Sequence, residues 1–226
     1  MGISKSSMFL LIMKIYKNLF EEIISPENLF SAWDVFKLGK QSKPDVLAFE
    51  RHLEEHIFKL HRELKNRTYK HGPYRGFYIC DPKQRHIHKA AVRDRVLHHA
   101  IFSVINPVFE ETFIPSSFSC RAGFGTHKGV NVLERMARAV AKNGTSSCFV
   151  LKCDIKKFFD SVDHETLLKI LGRRINDENA MRLLKSIIES YATAPVQERE
   201  RERERMLVRA VFPSAILRRS FSPTSI

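Results

Sequence analysis

Between Asp45 and Leu64 the apolar residues Val46, Phe49, Leu53, Ile57, Leu60 and Leu64 recur every three to four positions, which predicts one amphipathic helix over 45–64. Asp45 follows Pro44 and is placed to cap it, while charged residues fill a solvated face. Upstream, residues 13–38 carry helical spacing interrupted at Ser25-Pro26, where proline suits the first turn of a new helix. At Tyr74 the period changes. Residues 74–80 are aromatic and extended, 81–84 form a turn around Pro82, and 85–89 alternate again, which predicts a β-hairpin. A helix is expected from Asp94 to Ile105, ending before Pro107, then a Ser/Gly/Pro loop over 115–129 and a helix over 130–142 that Asn143-Gly144 breaks. Cys148-Phe149-Val150-Leu151 reads as a short buried strand with Asp154 past its end. Asp163 is placed to cap a helix through Arg173, and Asn176 or Asp177 another through Ala192. The order suggests an α+β domain with a largely unfinished sheet.

Composition adds a partner class. The 226 residues suffice for one or two domains, and 38 Lys and Arg against 25 Asp and Glu give a net charge of +13. Such an excess favours a polyanion, either nucleic acid or an anionic membrane surface, over a basic protein without such a partner. The apolar run Met8–Met13 is shorter than the roughly 20 residues of a membrane span. No small-residue cleavage pattern follows it, and the chain turns acidic at Glu21 and Glu22, so a signal peptide is not indicated and no membrane partner is expected. Cys80, Cys120, Cys148 and Cys153 make no C-x-x-C pair. Three have apolar or aromatic neighbours, so they read as buried thiols of a reducing, cytoplasmic compartment. From Glu198 to Arg205 the chain is a strict Glu-Arg alternation, the product expected of a GA dinucleotide repeat; a charged single helix is the alternative. Residues 196–226 are read as a low-complexity, non-native tail.

Charge and aromatics concentrate between Lys59 and Arg95, where eleven Lys and Arg face three acidic residues and Tyr69, Tyr74, Phe77 and Tyr78 are interleaved. Phosphate neutralisation by such a stretch makes binding salt-dependent, and aromatic rings stack on bases. Core packing and plain solvation account for part of both sets. Downstream, Asp154 follows the apolar run 148–151, a position open to a metal-binding carboxylate but more often that of a cap or turn residue.

The segment Asp154-Ile155-Lys156-Lys157-Phe158-Phe159-Asp160, with Val162-Asp163-His164 and Leu167, resembles the first palm motif of the group II intron, retron and diversity-generating reverse transcriptases. Residues 81–87 and 92–100 resemble the family's fingers motif, 106–110 with Phe113 the segment after it, and 117–127 the next motif. The resemblance covers roughly residues 60–190, in the family's order. It implies right-hand polymerase fingers and an incomplete palm, mostly helical, with a hairpin and a short palm strand. The corresponding units are an N-terminal helical extension (1–44), fingers (45–145), a partial palm (146–195) and the tail.

The resemblance further implies template-directed addition of dNTPs to a DNA primer on an RNA template, by an RNA-directed DNA polymerase (a nucleotidyltransferase) using Mg²⁺. Asp154 would bind the metals, with the Ile155 carbonyl on one of them. Lys83 and Arg85 would hold the triphosphate, helped by backbone amides at Lys157 and Phe158. Phe159, or its neighbour Phe158, would exclude a ribose 2′-OH. Arg93, Arg95 and Arg121 would either touch nucleic acid or buttress the fingers through internal ion pairs. His98, His99 and His127 are expected to pack or cap. The chain departs from the family at its second palm motif: no adjacent aspartate pair occurs anywhere, and the glycine-rich segment expected after Tyr191 is replaced by the Glu-Arg run. A fragment that is inactive alone is therefore expected, with a non-catalytic RNA-binding module and a degenerate gene remnant as rivals.

Overall fold

The computed structural model describes residues 14–155 and 158–192; Lys157 and the tail from 196 lie outside them. Two short helices open the fold, α1 (Leu19–Ile24) and α2 (Pro26–Lys37). Ser25 divides them as the sequence indicates: its hydroxyl accepts from the Asn28 amide at 3.1 Å, and Pro26 occupies the first turn of α2. The faces of α1 and α2 that carry Ile23, Leu29, Trp33 and Phe36 are completely buried, each such side chain contributing about 1.5–3 kcal/mol.

The expected helix over 45–64 is two helices, α3 (Pro44–Glu50) and α4 (Leu53–Lys65), which meet at Arg51-His52. The apolar stripe runs through the break, so periodicity alone cannot reveal it. The Phe49 carbonyl accepts from the His52 amide at 3.3 Å and from His56 Nδ1 at 3.1 Å, and the Phe49 and His56 rings stack at 4.5 Å. These contacts satisfy the carbonyl that a continuous helix would pair with residue 53. Asp45 does not cap α3. It lies in the first turn, where a negative charge suits the helix dipole, and pairs with Lys89 and Arg95.

Strands β1 (Arg75–Asp81) and β2 (Lys83–Lys89) form the antiparallel hairpin, with Asp81 opposite Lys83 around Pro82. Helix α5 (Val92–Glu110) follows and is the central helix, burying nine residues around its surface. It passes through Pro107 instead of ending before it. Val104, Ile105 and Val108 are buried on both sides of the proline, and their packing offsets the roughly 3 kcal/mol that an interior proline costs. Helix α6 (Thr126–Val140) begins four residues earlier than expected, after Gly125 at φ 121°. It buries none of its residues.

The run Cys148–Leu151 is not a strand. Phe149, Val150 and Leu151 are 95%, 74% and 87% exposed, and no described strand lies beside them to satisfy their backbone groups. All four cysteines are likewise exposed, which corrects the buried-thiol expectation; their apolar neighbours in sequence are themselves uncovered or lie on the open hairpin. Helices α7 (Phe158–Ser161), α8 (His164–Gly172) and α9 (Glu178–Ala192) are the last elements among the described residues. Asp163 caps α8 through the Thr166 amide at 2.7 Å, and Asp177 caps α9 through Asn179 and Ala180. The other Asp177 oxygen accepts from the Phe20 amide at 2.8 Å, and Tyr16 bridges to Ile175. Residues 14–37 thus share one core with α4, α5 and α9.

Candidate nucleic-acid and nucleotide interface

The hairpin register sorts its side chains into two faces. Lys83 and Arg85 lie with Phe77, Ile79 and Ile87 on one face, while Tyr78, His86 and His88 share the other. Every residue of β1 is exposed, as are Lys83 and Arg85. Neither cation is held in an ion pair among the described residues. On the opposite face Tyr78 stacks on His86 at 4.5 Å, and His86 meets His88 edge-on at 4.4 Å. The hairpin therefore offers Lys83, Arg85 and Arg75, unpaired among the described residues, on a partly apolar face that also carries Asp81 opposite Lys83, with an aromatic row on the reverse.

Its base is fixed by a buried carboxylate. Asp94 is fully buried and accepts from the Tyr69 hydroxyl at 2.9 Å, the Gly72 amide at 3.0 Å and Arg93 Nε at 3.3 Å. Burial, reinforced by the Asp94 charge, raises the Tyr69 hydroxyl pKa above its ordinary value, so the phenol stays a donor. Arg93 also donates to Glu63 at 2.8 Å and to the Lys70 carbonyl at 2.7 Å. Beside this network His71 and His98 stack with their Nε2 atoms 3.2 Å apart. His71 Nδ1 lies 2.6 Å from the Gly72 carbonyl and must carry the hydrogen there. In the neutral pair its Nε2 then accepts, so His98 Nε2 donates. Burial, with His71 beside it, pushes the His98 pKa down to about 4.

The other two expected arginines are similarly engaged. Arg95 donates to Asp45 at 2.6 Å and sits over the Phe36 ring. For Asp45, burial acts upward, but the ion pairs to Lys89 and Arg95 outweigh it and lower its pKa. Arg121 donates to Glu110 at 2.7 Å and to the carbonyls of Ser117 and Ile114, with its guanidinium 4.0 Å from the Phe124 ring. Of the two roles open to Arg93, Arg95 and Arg121, these contacts match buttressing.

Asp154 and Ile155 lie on exposed, irregular chain, and Phe158 is half exposed. The side chain of Phe159 and all of Lys157 fall outside the described residues. No group of three His, Cys, Asp or Glu among the described residues converges on a metal-sized site. A single exposed carboxylate does not fit a pair of Mg²⁺ ions, which need several oxygen ligands between them.

Several structurally decisive residues escaped sequence reasoning. Asn28 donates to the Ile23 and Ala100 carbonyls and accepts from Ser103, tying α1, α2 and α5 together. Its signal was an asparagine, a poor helix former, inside a helix. Arg174, 8% exposed, donates to the Val108 carbonyl at 3.1 Å near the end of α5, where a cation suits the dipole. Gly72 had no signal beyond its position next to Pro73.

The model of the reverse transcriptase (RNA-dependent DNA polymerase) family matches residues 70–211, which spans the hairpin, runs through the Glu-Arg alternation and ends beyond it, inside the segment read as a non-native tail. Protein YkfC of Escherichia coli (strain K12) is 29% identical over 127 residues, covering 55% of this chain and 33% of its own. The group II intron-encoded protein LtrA of Lactococcus lactis subsp. cremoris is 24% identical over 177 residues, 76% of this chain and 28% of its own. Nuclear intron maturase 2, mitochondrial, of Arabidopsis thaliana is 20% identical over 173 residues, 69% and 23%. The chain spans at most about a third of the length of these relatives.

Proposed function

Because the chain belongs to the reverse transcriptase family, we propose that it forms the fingers and first palm segment of an RNA-directed DNA polymerase encoded by a group II intron-type mobile element. The observation that carries this reading is the exposed hairpin, which sets Lys83 and Arg85 on one face with no ion-pair partner among the described residues. Arg85 would grip a dNTP triphosphate through its planar fork and Lys83 would add a point charge. Phe158 or Phe159 would bear on the sugar, and backbone amides at Lys157 and Phe158 on the phosphates. Asp154, with the Ile155 carbonyl, would contribute to the Mg²⁺ site of the complete enzyme. One exposed carboxylate is too few for that site, so no chemical step is assigned to this chain alone.

The same observation supports binding without synthesis: this chain grips an RNA template and its DNA primer, with Arg93, Arg95 and Arg121 holding the shape of the grip. The test is to titrate the pure chain with an RNA–DNA primer–template across a salt series, with and without dNTPs and Mg²⁺. Binding that weakens steeply with salt, with no primer extension, is expected. Salt-independent or absent binding would sink the nucleic-acid reading, and templated extension would sink the assignment of binding alone.

A further inference from the structure

Away from the hairpin, one cavity of about 180 Å³ combines an apolar floor with a cationic rim. It opens between α1, the end of α4 and the first half of α9. Phe20, Leu64 and Leu183 form the floor and are buried. Tyr69 forms a wall, and because its hydroxyl is committed to Asp94 it offers the cavity only its ring. Arg67 and Arg182 stand at the rim with Ser186.

Arg67 supplies the second observation. It ends α4 in the left-handed region at φ 59°, its amide bonded to the Leu64 carbonyl at 3.0 Å. Glycine ends helices this way without strain, whereas a residue with a β-carbon does not. Backbone strain of this kind collects at ligand-binding positions. The strained position carries a guanidinium that makes no hydrogen bond or ion pair among the described residues. Among the described residues Arg182 pairs only with Glu178, at 2.8 Å on the exposed surface of α9, a contact weak enough to exchange for a ligand.

A small cavity lined by apolar side chains and two arginines fits an aromatic ring that carries an anion. The volume falls below the roughly 300–1,000 Å³ of pockets that engulf a whole small molecule, so the slot suits one part of a longer ligand. We propose that this cavity seats a single base of an RNA strand against Phe20, Leu183 and the Tyr69 ring, with its phosphate on Arg67 and Arg182. The ligand class rests on the nucleic-acid reading above; the site is separate from the hairpin.

The experiment measures binding of a labelled single-stranded RNA to the full chain and to Arg67→Gly, Ser186→Trp and the Lys83→Ala/Arg85→Ala pair. Arg67→Gly removes the guanidinium and relieves the strained backbone, so its melting temperature should hold or rise while RNA affinity falls. Ser186→Trp fills the slot without changing charge. Both variants should lose about tenfold in affinity, within the range that one stacked base contributes. Unchanged RNA binding by Arg67→Gly and Ser186→Trp, with a loss confined to the hairpin pair, would overturn the site and leave the function above standing. No RNA binding by the wild-type chain would overturn both. Displacement of the RNA by equimolar AMP, or Arg67-dependent capture of an acidic peptide in its place, would overturn the assignment to an RNA strand.

Discussion

The Gly72 amide donates to the Asp94 carboxylate at 3.0 Å, across a gap that leaves no room for a side chain: a β-carbon on Gly72 would lie 2.9 Å from the same oxygen. The carboxylate cannot yield easily, because Tyr69 and Arg93 hold its other oxygen. Gly72→Ala should therefore cost about 1–3 kcal/mol of unfolding free energy, the penalty of a buried hydrogen bond lost or distorted. Asp94→Ala should cost more, about 2–6 kcal/mol, since it leaves the Tyr69 hydroxyl and the Gly72 amide without a partner at about 1–3 kcal/mol each, while Arg93 keeps Glu63 and the Lys70 carbonyl. Urea unfolding of both variants checks the order, and a Gly72→Ala chain as stable as wild type would refute the close approach.

Acid should loosen the same region through His98. Its pKa is pushed from 6.5 to about 4 by burial and by His71, with the Asp94 charge acting the other way and His99 adding to the depression. An unfolded chain binds this proton below about pH 6.5 while the folded one refuses it until about 4. Unfolding thus takes up a proton across that window. The stability His98 contributes is complete above it and falls as the pH drops, by on the order of 3 kcal/mol at the acid end. His99 is also depressed, by burial, then by Lys40 and Arg95, and titrates in the same sense. Unfolding free energies measured from pH 7 to pH 4 should decline in the wild-type chain and decline less in His98→Phe. Parallel profiles would assign the acid response elsewhere.

Much of this architecture was legible from local signals. Pro26, Asp163 and the Asn176-Asp177 pair announced helix starts, because first-turn and capping signals act within three residues of chain. The hairpin was legible from its period of two around Pro82. What stayed hidden depended on partners far along the chain. Nothing near Asp94 indicated that Tyr69 and Gly72 would close on it. Helix α5 passes Pro107 because buried neighbours outweigh a local cost. Of the candidate site, Lys83 and Arg85 share a face because β2 begins at Lys83, two residues before the strand expected from Arg85. Arg93, Arg95 and Arg121 had two roles open, and their ion pairs to Glu63, Asp45 and Glu110 depend on residues too far along the chain for local signals to foretell.

Arg121 offers the sharpest test of buttressing. Its side chain is 8% exposed and its fork reaches Glu110 and two backbone carbonyls while lying over Phe124. A lysine keeps the charge but cannot fill that planar set of acceptors. Arg121→Lys should therefore behave nearly as badly as Arg121→Ala, each losing about 1–3 kcal/mol. Amide exchange across residues 111–125 should speed up in both. Full rescue by lysine would show that charge, and not the fork, is what this position needs.

The uncovered run Phe149-Val150-Leu151 should govern solubility and leave folding untouched. These side chains are 95%, 74% and 87% exposed, so removing them takes nothing from the core, and surface changes of this kind stay within about 0.5 kcal/mol. Three consecutive β-prone apolar residues with open backbone groups are, however, a template for association between chains. Phe149→Ser with Leu151→Lys should leave the unfolding midpoint in urea where it is and raise the concentration at which light scattering appears. A large drop in the midpoint would mean that these residues are covered in solution, by a second copy or by chain outside the described residues. Scattering at the same concentration as wild type would move the association surface elsewhere, with the bare apolar row of α6, Val130, Leu133 and Met136, next to be tested.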